Sequence, residues 1–456
     1  MTLITGGEFD AYWKSQTGGG AGGESAAGDV ERGVRRVIDD VRRRGDAAAR
    51  EWTAQFDRAS PERFEVSGDA MAAAFERLRT TNAELAAALE MARDNIRQFA
   101  VEQRKQFFDF EYEIAPGVIA GQRVIPAQKA AIYAPAGLFP LISSVLMGVV
   151  PALAAGVEEV FVASPPAHDG GGLPDWRILA AIRIAGGARA GDSRAANIRA
   201  ANIRAFAIGG AQAIAAFAFG TETIPRADVI AGPGNKYVAA AKRLLFGEAG
   251  IDFVAGPTDV LVIAGPDANP DIIAADMIAQ AEHDPDARAR VLAPNADLAG
   301  RVMQAVEKRL AASMERAAKT ARASLDAGGL IVTYTDENEA ARIANIIAPE
   351  HLELQCGDEA NERLLPRLKN YGALFIGEKA AEALGDYSAG TNHTLPTSGC
   401  ARFTGGLSVR HFLKTVTTLR CAEGAGYAPV VKAAETIARA EGLAGHAESA
   451  KARLSR

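Results

Sequence analysis

A short stretch near the middle of the chain places three side chains of metal-binding type at helical spacing. Residues 275–284 read Ala-Asp-Met-Ile-Ala-Gln-Ala-Glu-His-Asp, and apolar residues at helical spacing lead into them. In a helix, Asp276, Gln280 and His283 would lie at i, i+4 and i+7 and share one face. Pro285 predicts the end of that helix. The stripe could hold a divalent metal, but by itself it is more typical of a solvated helix end, where the helix dipole favours a histidine.

Two further histidines lie in segments that suit acid–base or metal chemistry. Glu350 and His351 follow a proline, so a loop could present both side chains to a cleft. A neutral histidine accepts protons near pH 7, and a partly buried glutamate can be tuned towards that range. Residues 385–393 are rich in Gly, Ser and Thr, and this predicted loop contains Asp386 and His393. A surface Glu–His pair and an Asx-type turn are the simpler interpretations.

The last candidate pair lies in the tail. Glu441 and His446 are five residues apart in an Ala-rich, charged stretch, residues 428–454, which is predicted to be helical. Side chains in such a stretch are usually solvated. They would take part in chemistry only if the tail docked on another domain or subunit.

Nucleotide-binding motifs are incomplete. Gly232-Pro-Gly-Asn-Lys-Tyr237 begins like the Gly-x-Gly-x-x-Gly fingerprint of dinucleotide-binding folds but lacks its third glycine. By this criterion alone, a nicotinamide cofactor is weakly indicated. The chain contains neither a Gly-Lys-Ser/Thr phosphate loop nor a Gly-x-Ser-x-Gly elbow.

Size and composition limit the class of protein. With 456 residues the chain is too long for one compact core, so two or more domains are expected. A formal net charge of -6 argues against nucleic acid as the main partner. Three cysteines without Cys-x-x-Cys spacing fit a reducing compartment and leave N and O atoms as the ligands of any metal. Without a signal-peptide pattern or a long apolar run, we expect a cytoplasmic protein that does not associate with membranes.

The elements that must position these residues follow an α/β pattern. From Lys129 onwards, short apolar strands, glycine turns and helices alternate, which predicts parallel sheets in two α/β units. Before them, residues 29–56 and 70–101 are predicted to form amphipathic helices. A tandem five-residue repeat at residues 194–203 lies between two of the α/β elements, and we interpret it as a surface helix extension.

Six short motifs occur in a fixed order along the chain. They are Tyr133-Ala-Pro-Ala-Gly137 with Ser144–Met147, Gly209–Ile214, Gly232–Asn235, Gln280–His283, Pro349–Glu353 and Gly385–His393. Their order and spacing resemble the histidinol dehydrogenase family, over roughly residues 30–453. The resemblance implies a zinc- and NAD-dependent oxidation of an amino alcohol, L-histidinol, to L-histidine by way of an aldehyde that is not released. It also implies a homodimer whose C-terminal segment crosses to the partner subunit.

The resemblance also implies roles for individual residues. Glu350 and His351 would be the catalytic acid–base pair. Contacts to NAD would come from Tyr133, Gln212 and Asn235. The zinc ligands would be Gln280, His283, Asp386 and the partner's His446. Substrate contacts would come from Thr258, Gln280, His283, His351, Asp386, His393, Glu441 and His446, the last two being residues of the crossing tail.

The expected fold is two incomplete Rossmann-like parallel-sheet domains with a helical N-terminal portion and a C-terminal tail exchanged between subunits. The division predicted from the sequence has four parts. Residues 1–28 form an N-terminal arm. The helical portion 29–128 joins 258–392 as the first α/β domain, 129–257 form the second, NAD-binding domain, and 393–456 form the dimer-crossing segment.

Three departures from the family pattern leave alternatives open. Thr258-Asp259 replaces the usual Ser-Glu, which would displace a substrate-side carboxylate; Ala136 replaces a glycine, and the repeat at 194–203 looks like an insertion. A paralogue that oxidises another small polar alcohol, such as a sulfonated propanediol, is therefore the main alternative. A zinc hydrolase and a non-catalytic ligand-binding protein are two further alternatives from other classes.

Overall fold

The computed structural model describes most of the chain, namely residues 1–17, 23–136, 140–167, 171–187, 202–254 and 256–454. The tandem repeat lies almost entirely outside these ranges, as do Gly137 and most of the glycine-rich run 18–23. Among the described residues, no helix is both long enough and apolar enough to cross a membrane.

The elements alternate as the sequence predicts. The strands are β1 (Thr2–Thr5), β2 (Glu65–Val66), β3 (Phe110–Ala115), β4 (Val118–Pro126), β5 (Lys129–Tyr133), β6 (Glu159–Ser164), β7 (Ile203–Ala207), β8 (Val229–Ala231), β9 (Gly250–Ile251), β10 (Asp259–Ala264), β11 (Arg288–Ala293), β12 (Leu330–Thr333), β13 (His351–Gln355), β14 (Ala373–Ile376) and β15 (Leu413–Cys421). The helices are α1 (Gly6–Thr17), α2 (Gly23–Arg44), α3 (Asp46–Phe56), α4 (Gly68–Thr81), α5 (Ala83–Lys105), α6 (Ile142–Ala155), α7 (Trp176–Ala185), α8 (Gly210–Phe219), α9 (Lys236–Leu245), α10 (Pro270–Ala281), α11 (Ala296–Ala312), α12 (Glu315–Gly328), α13 (Glu337–Ile347), α14 (Asp358–Leu364), α15 (Glu382–Tyr387), α16 (Tyr427–Ala440) and α17 (Ala444–Lys451).

Two six-stranded sheets share one topology. The first has the order β1-β12-β11-β10-β13-β14, and the second has the order β2-β7-β6-β5-β8-β9. Numbered along the chain within each unit, five strands of both sheets run 3-2-1-4-5 and pair in parallel. This is the Rossmann order without its sixth strand, so the expectation of incomplete Rossmann-like sheets is confirmed. In each unit the strand order reverses beside the first strand, between β10 and β13 and between β5 and β8.

Helices cover both faces of each sheet. Strands with apolar side chains on both faces favour this arrangement, because both faces are then removed from water. On the second sheet, α4 to α7 pack on one face and α2, α3, α8 and α9 on the other. On the first sheet, α10 to α12 cover one face, while α1, α13 and α14 cover the other. Each unit is therefore a three-layer sandwich with two cores.

These contacts differ from the division predicted from the sequence. The apolar faces of the helices between residues 23 and 105 pack on the second sheet, and α5 touches residues 258–392 at its Asn95, which donates to the carbonyl oxygen of Ser388 at 2.8 Å. Residues 1–17 also do more than form an arm, because β1 is an edge strand paired in parallel with β12 and the wholly buried Phe9 lies in the core of the first unit. Amphipathic periodicity predicts that a helix has a buried face, but it does not identify the sheet that covers that face.

The predicted helices are interrupted where a residue favours another backbone conformation. Gly45, with a positive φ of 54°, separates α2 from α3. Asn82 ends α4 and caps α5 with its side-chain oxygen, which accepts the backbone N–H of Leu85 at 3.0 Å. Gly442, at φ 77°, separates α16 from α17 in the tail. The described tail therefore contains two helices where the sequence pattern predicts one.

The C-terminal part of the chain leaves the two sandwiches. β15 pairs antiparallel with β4, which also pairs with β3, and this forms a separate three-stranded sheet. The helices α16 and α17 then pack mainly against each other. Phe110 and Tyr112 on β3 and Leu419 on β15 are 48, 68 and 70% exposed, so this sheet presents an apolar surface.

Three buried phenylalanine rings lie in the core between the second sheet and the helices α2, α3, α8 and α9. Phe161, Phe206 and Phe217 lie with their ring centroids 5.3 to 5.9 Å apart and are at most 1% exposed.

We expect Phe161→Ala to lower the free energy of unfolding by about 3–5 kcal/mol, because it leaves a cavity in a packed core. Urea unfolding measures this. Phe108→Ala, at a position that is 63% exposed, is the control and should change the free energy by less than about 0.5 kcal/mol. Equal midpoints for the two variants would contradict this packing.

Candidate active site

The candidate catalytic pair lies at the amino ends of β10 and β13. Ala348 adopts a left-handed conformation after α13, at φ 51°, and the chain then enters β13 at His351, which is paired with Val260. Glu350 and His351 are only 5 and 2% exposed. The predicted loop is thus a helix-to-strand turn, and strand pairing places both side chains inside the protein next to residues 258 and 259.

Hydrogen bonds from the start of β10 fix the Glu350 carboxyl. Its Oε2 lies 2.5 Å from the Thr258 hydroxyl and accepts the backbone N–H of Asp259 at 3.1 Å. Burial raises the pKa of Glu350 to about 7, although the charge of His351 and the hydrogen bond from Thr258 act to lower it. A carboxyl with a pKa near neutrality is suited to general acid–base catalysis.

Asp259, which replaces the usual glutamate of the family pattern, has a structural role here. Its carboxylate accepts a hydrogen bond from Arg290 at 2.9 Å and one from the backbone N–H of Glu350 at 3.1 Å. The residue is 6% exposed. The substitution therefore leaves the carboxylate tied to β11 and to the backbone beside Glu350. These contacts do not indicate the displaced substrate-side carboxylate that the sequence predicts.

His351 is surrounded by three carboxyl groups. Nε2 lies 3.4 Å from Asp386 Oδ1, while Nδ1 lies 3.8 Å from Glu350 and 3.9 Å from Glu382 Oε2. Burial alone lowers the pKa of His351, but the charges of Glu382, Glu350 and Asp386 outweigh burial and raise it well above its ordinary value. The imidazole also stacks on Phe375, with 6.0 Å between ring centroids.

The short helix α15 supplies two of these carboxyls one turn apart. Glu382 and Asp386, at i and i+4, face His351, and one ligand atom from each of the three residues lies within 4.8 Å of the others. Burial raises the pKa of Glu382 to about 8, and its Oε2 is buried without a hydrogen-bond partner among the described residues. Burial also acts to raise the pKa of Asp386, but His351, His393 and His283 together lower it. This set of N and O donors is of the type that binds a divalent metal.

Gln280 and His283 flank this cluster, although not as one helical stripe. Helix α10 ends at Ala281, so His283 lies in the following turn, is exposed, and has Nδ1 2.9 Å from the carbonyl oxygen of Ala279. Gln280 is fully buried. Its side-chain amide lies 2.6 Å from Thr258 Oγ1. With the amide nitrogen facing Glu382 at 2.7 Å, the amide oxygen accepts the Asp259 N–H at 2.8 Å.

Asp276, the third member of the predicted stripe, points elsewhere. Its carboxylate accepts a hydrogen bond at 3.0 Å from Gln355, which also donates to Glu353 at 2.9 Å. Glu353 in turn accepts the backbone N–H of Glu382 at 3.2 Å and so holds the start of α15. Asp276 therefore belongs to a hydrogen-bond network behind the cluster.

His393 connects the cluster to the second unit. Its Nε2 lies 3.1 Å from Ser143 Oγ on α6, and the neighbouring Asn392 donates to the carbonyl oxygen of Met147 on the same helix at 2.7 Å. Burial lowers the pKa of His393, and the charge of Asp386 only partly offsets this. A contact between two parts of the chain 250 residues apart cannot be read from local spacing.

The three residues expected to contact NAD lie at the carboxyl edge of the second sheet. Tyr133 ends β5, and its hydroxyl accepts the backbone N–H of Gly210 at 3.1 Å. Gln212, at the start of α8, donates to Asp57 at 3.2 Å and has a buried Oε1 without a hydrogen-bond partner among the described residues. Asn235 is exposed and caps α9. The crevice beside the strand-order reversal is where open α/β sheets bind their ligands.

Two predicted residues are not brought to the cluster within this chain. Glu441, directly after α16, and His446, on α17, are exposed. In the part of the chain that the structure describes, no hydrogen bond or ion pair joins them to His351, Asp386 or Gln280. Sequence reasoning also missed Glu382. The available signal was its i, i+4 spacing to Asp386, which places both carboxyls on one face once residues 382–387 are recognised as a helix.

Comparisons with known proteins identify the family of the chain. The family model described as histidinol dehydrogenase matches residues 22–454. The chain is 42% identical to a histidinol dehydrogenase of Methylococcus capsulatus, over 94% of this chain and 93% of that one. It is 44% identical to the Cereibacter sphaeroides enzyme of the same name, again over 94 and 93%. A crystal structure of histidinol dehydrogenase from Elizabethkingia anophelis superposes with a TM-score of 0.83 at 33% identity, covering 93 and 92% of the two chains.

The range matched by the family model, residues 22–454, spans the positions of all the motifs on which the resemblance depends. The α/β fold with parallel-sheet units and the family prediction are both confirmed. The chain belongs to the histidinol dehydrogenase family.

Proposed function

We propose that this protein catalyses the NAD-dependent four-electron oxidation of L-histidinol to L-histidine by way of histidinal, a step of histidine biosynthesis. The observation that carries the proposal is the buried Glu350–His351 pair, fixed against β10 in a chain that matches this family over nearly its whole length. The free thiols of its three cysteines support a cytoplasmic location.

The residues around His351 fit a divalent metal, because they present N and O donors and a buried carboxyl oxygen without a hydrogen-bond partner among the described residues. We assign zinc to Gln280, His283, Asp386 and the partner's His446. When bound, zinc would supply Lewis-acid stabilisation of negative charge on the substrate oxygen. Ligation by Gln280 requires its amide to turn from Thr258 and Asp259, whereas Asp386 already lies at the centre of the cluster.

His351 is the proposed base for the alcohol step. Burial acts to lower the pKa of its imidazole, but the charges of Glu382, Glu350 and Asp386 raise it. A cation held at Asp386 or Glu382 would offset that attraction, and the imidazole would then accept the hydroxyl proton near neutral pH. The Phe375 ring stacks on the imidazole of His351, which is only 2% exposed, so bulk water has little access to this side chain.

Glu350 is the proposed base for the aldehyde step. In its ionised form it takes a proton from the water that attacks the aldehyde carbon, and the Thr258 hydroxyl and Asp259 N–H hold its carboxylate in place. The NAD that receives each hydride is assigned to the crevice beside Tyr133, Gln212 and Asn235. His393 connects the cluster around His351 to α6 of the second unit. We assign His393 and Thr258 to substrate contacts.

The tail completes the site in this proposal. Glu441 and His446 are exposed and point to a second copy of the chain, because the site proposed around Asp386 and His283 receives no contact from them within one chain. The exposed apolar side chains of Tyr112, Leu419 and Ile437, which is 59% exposed, support a homodimer that covers this region.

The substrate is tested by direct turnover. Purified protein with zinc, NAD and L-histidinol should form NADH and histidine in a ratio of about two, because the alcohol and aldehyde steps each release one hydride. A sulfonated propanediol is the comparison substrate. Turnover of the diol without turnover of L-histidinol would favour the paralogue. Metal-dependent hydrolysis without NAD would favour a hydrolase.

Glu350→Gln tests the proposed base. Because the amide cannot accept the proton of water, we expect oxidation of histidinal to fall about 10²–10⁴-fold. In the unsubstituted protein, the same step should slow as pH falls below about 7, where Glu350 gains a proton, and this limb of the pH profile should be lost in the variant. Stopped-flow NADH absorbance measures both. Glu362→Gln, on the exposed surface of α14, is the control; equal rates for the two variants would remove Glu350 from the mechanism.

Subunit mixing tests the crossing tail. His351→Asn and His446→Ala should each be inactive, and His446→Ala should also lose zinc as measured by elemental analysis. Co-expressed in equal amounts, they should recover about a quarter of the activity, because one of the two sites in each mixed dimer then has intact residues from both chains. No recovery, with mixed dimers confirmed by mass spectrometry, would place His446 in the site of its own chain or outside it.

A further inference from the structure

A close contact between two strand ends shapes the crevice of the second sheet. β5 ends at Tyr133, and β8 is followed by Gly232, whose φ is 115°. A Cβ atom on Gly232 would lie 2.3 Å from the carbonyl oxygen of Tyr133 and 3.0 Å from its nitrogen. Only glycine fits this position. The turn that leads from β8 to Asn235 is thus pressed against the backbone of Tyr133 at the reversal of strand order.

A buried ion pair holds both backbone polar groups of this glycine. Asp252 Oδ2 accepts the N–H of Gly232 at 2.8 Å, and Lys242 Nζ donates to its carbonyl oxygen at 3.0 Å. The ammonium also pairs with Asp252 Oδ1, which accepts the backbone N–H of Phe253 at 2.7 Å. Lys242 is 2% exposed and Asp252 is 8% exposed.

The pair links three elements around the turn. Lys242 lies on α9, the helix that Asn235 caps by accepting the backbone N–H groups of Tyr237 at 3.0 Å and Val238 at 3.2 Å. Asp252 directly follows β9. The end of β8, the start of α9 and the end of β9 are therefore tied to one point. Since Lys242 is buried and paired, it does not itself present a charge to a ligand in the crevice.

Stability alone does not account for this arrangement. Removing two charges from water carries a large desolvation cost, and packed apolar residues of similar volume are often as good or better for stability. An apolar pair, however, would leave the N–H and carbonyl of Gly232 without partners and the turn without a fixed position. What the ion pair supplies is the geometry of the turn.

We propose that Lys242 and Asp252 are positioning residues for the dinucleotide: they hold the Gly232–Asn235 turn against Tyr133 and so preform the crevice. This inference rests on the proposed function, since it takes NAD as the ligand of this edge. Neither residue contacts the reacting atoms, so the effect is expected on NAD affinity and not on the chemical steps. NAD is bound before either hydride transfer, and a misplaced turn weakens that binding.

The test uses two variants of the full-length, zinc-loaded protein. Lys242→Met/Asp252→Leu replaces the pair by apolar side chains without leaving a lone buried charge. Asp252→Asn keeps one side-chain oxygen, which can still accept one of the two N–H groups, that of Gly232 or that of Phe253. We expect the double variant to fold, with a lower melting temperature because the backbone groups of Gly232 lose their partners, and to bind NAD at least about tenfold more weakly by calorimetry at a temperature where it is folded. Asp252→Asn should show a smaller loss. The KM for NAD should rise, while kcat at saturating NAD and the KM for L-histidinol should stay close to their original values.

Arg243→Met is the matched control. Arg243 lies next to Lys242 on α9 but forms an exposed ion pair with Glu31, at 2.8 Å, so its loss should leave NAD binding unchanged. If Asp252→Asn or the folded double variant binds NAD as tightly as the unsubstituted protein, the inference is wrong. If the unsubstituted protein itself does not bind NAD, the proposed function fails instead, and the two failures are distinguishable.

Discussion

The structure depends most on the confinement of several carboxyl groups around one buried imidazole. Glu350, Glu382 and Asp386 converge on His351 in a region with little access to water, where like charges cannot all be ionised at low cost. Their pKa values therefore separate: burial raises those of Glu350 and Glu382 to about 7 and about 8, whereas His351 and the neighbouring histidines lower that of Asp386. Groups whose pKa values are moved apart in this way can hold and release protons at neutral pH, and the surplus negative charge is what a divalent cation or a cationic substrate would neutralise.

The two sandwiches share a topology but use opposite edges. The candidate catalytic cluster lies at the amino ends of β10 and β13 in the first sheet, whereas the crevice assigned to NAD lies at the carboxyl edge of the second sheet. His393 and Asn392 connect them through α6, which packs on the second sheet. In the second unit the glycine-rich fingerprint is incomplete, and a buried ion pair around Gly232 holds the turn instead. In this proposal the two units, which are alike in the order of five strands, bind their ligands at opposite edges of their sheets.

The motifs predict which residues form the candidate site, and the corrections made by the structure concern where helices end and what covers them. The metal stripe on Asp276, Gln280 and His283 assumed a helix through residue 284, but α10 ends at Ala281 and Asp276 turns towards Gln355. Glu382 was missed because a six-residue helix has no clear hydrophobic period. The N-terminal helices were assigned to the first unit, yet their apolar faces pack on the second sheet. Periodicity reports that a face is buried, and the partner of that face is decided by contacts distant in sequence.

The sequence by itself determined the α/β alternation, the family and the residue types that can do chemistry, because these depend on local pattern and on ordered motifs. Only the tertiary structure decided that Glu350 and His351 share their burial with Glu382 and Asp386, that Asp259 is tied to Arg290, and that both polar groups of Gly232 are held by one ion pair. These arrangements depend on strands and helices that are far apart along the chain. The pKa of a side chain is set by burial and by nearby charges, and both exist only after the chain has folded.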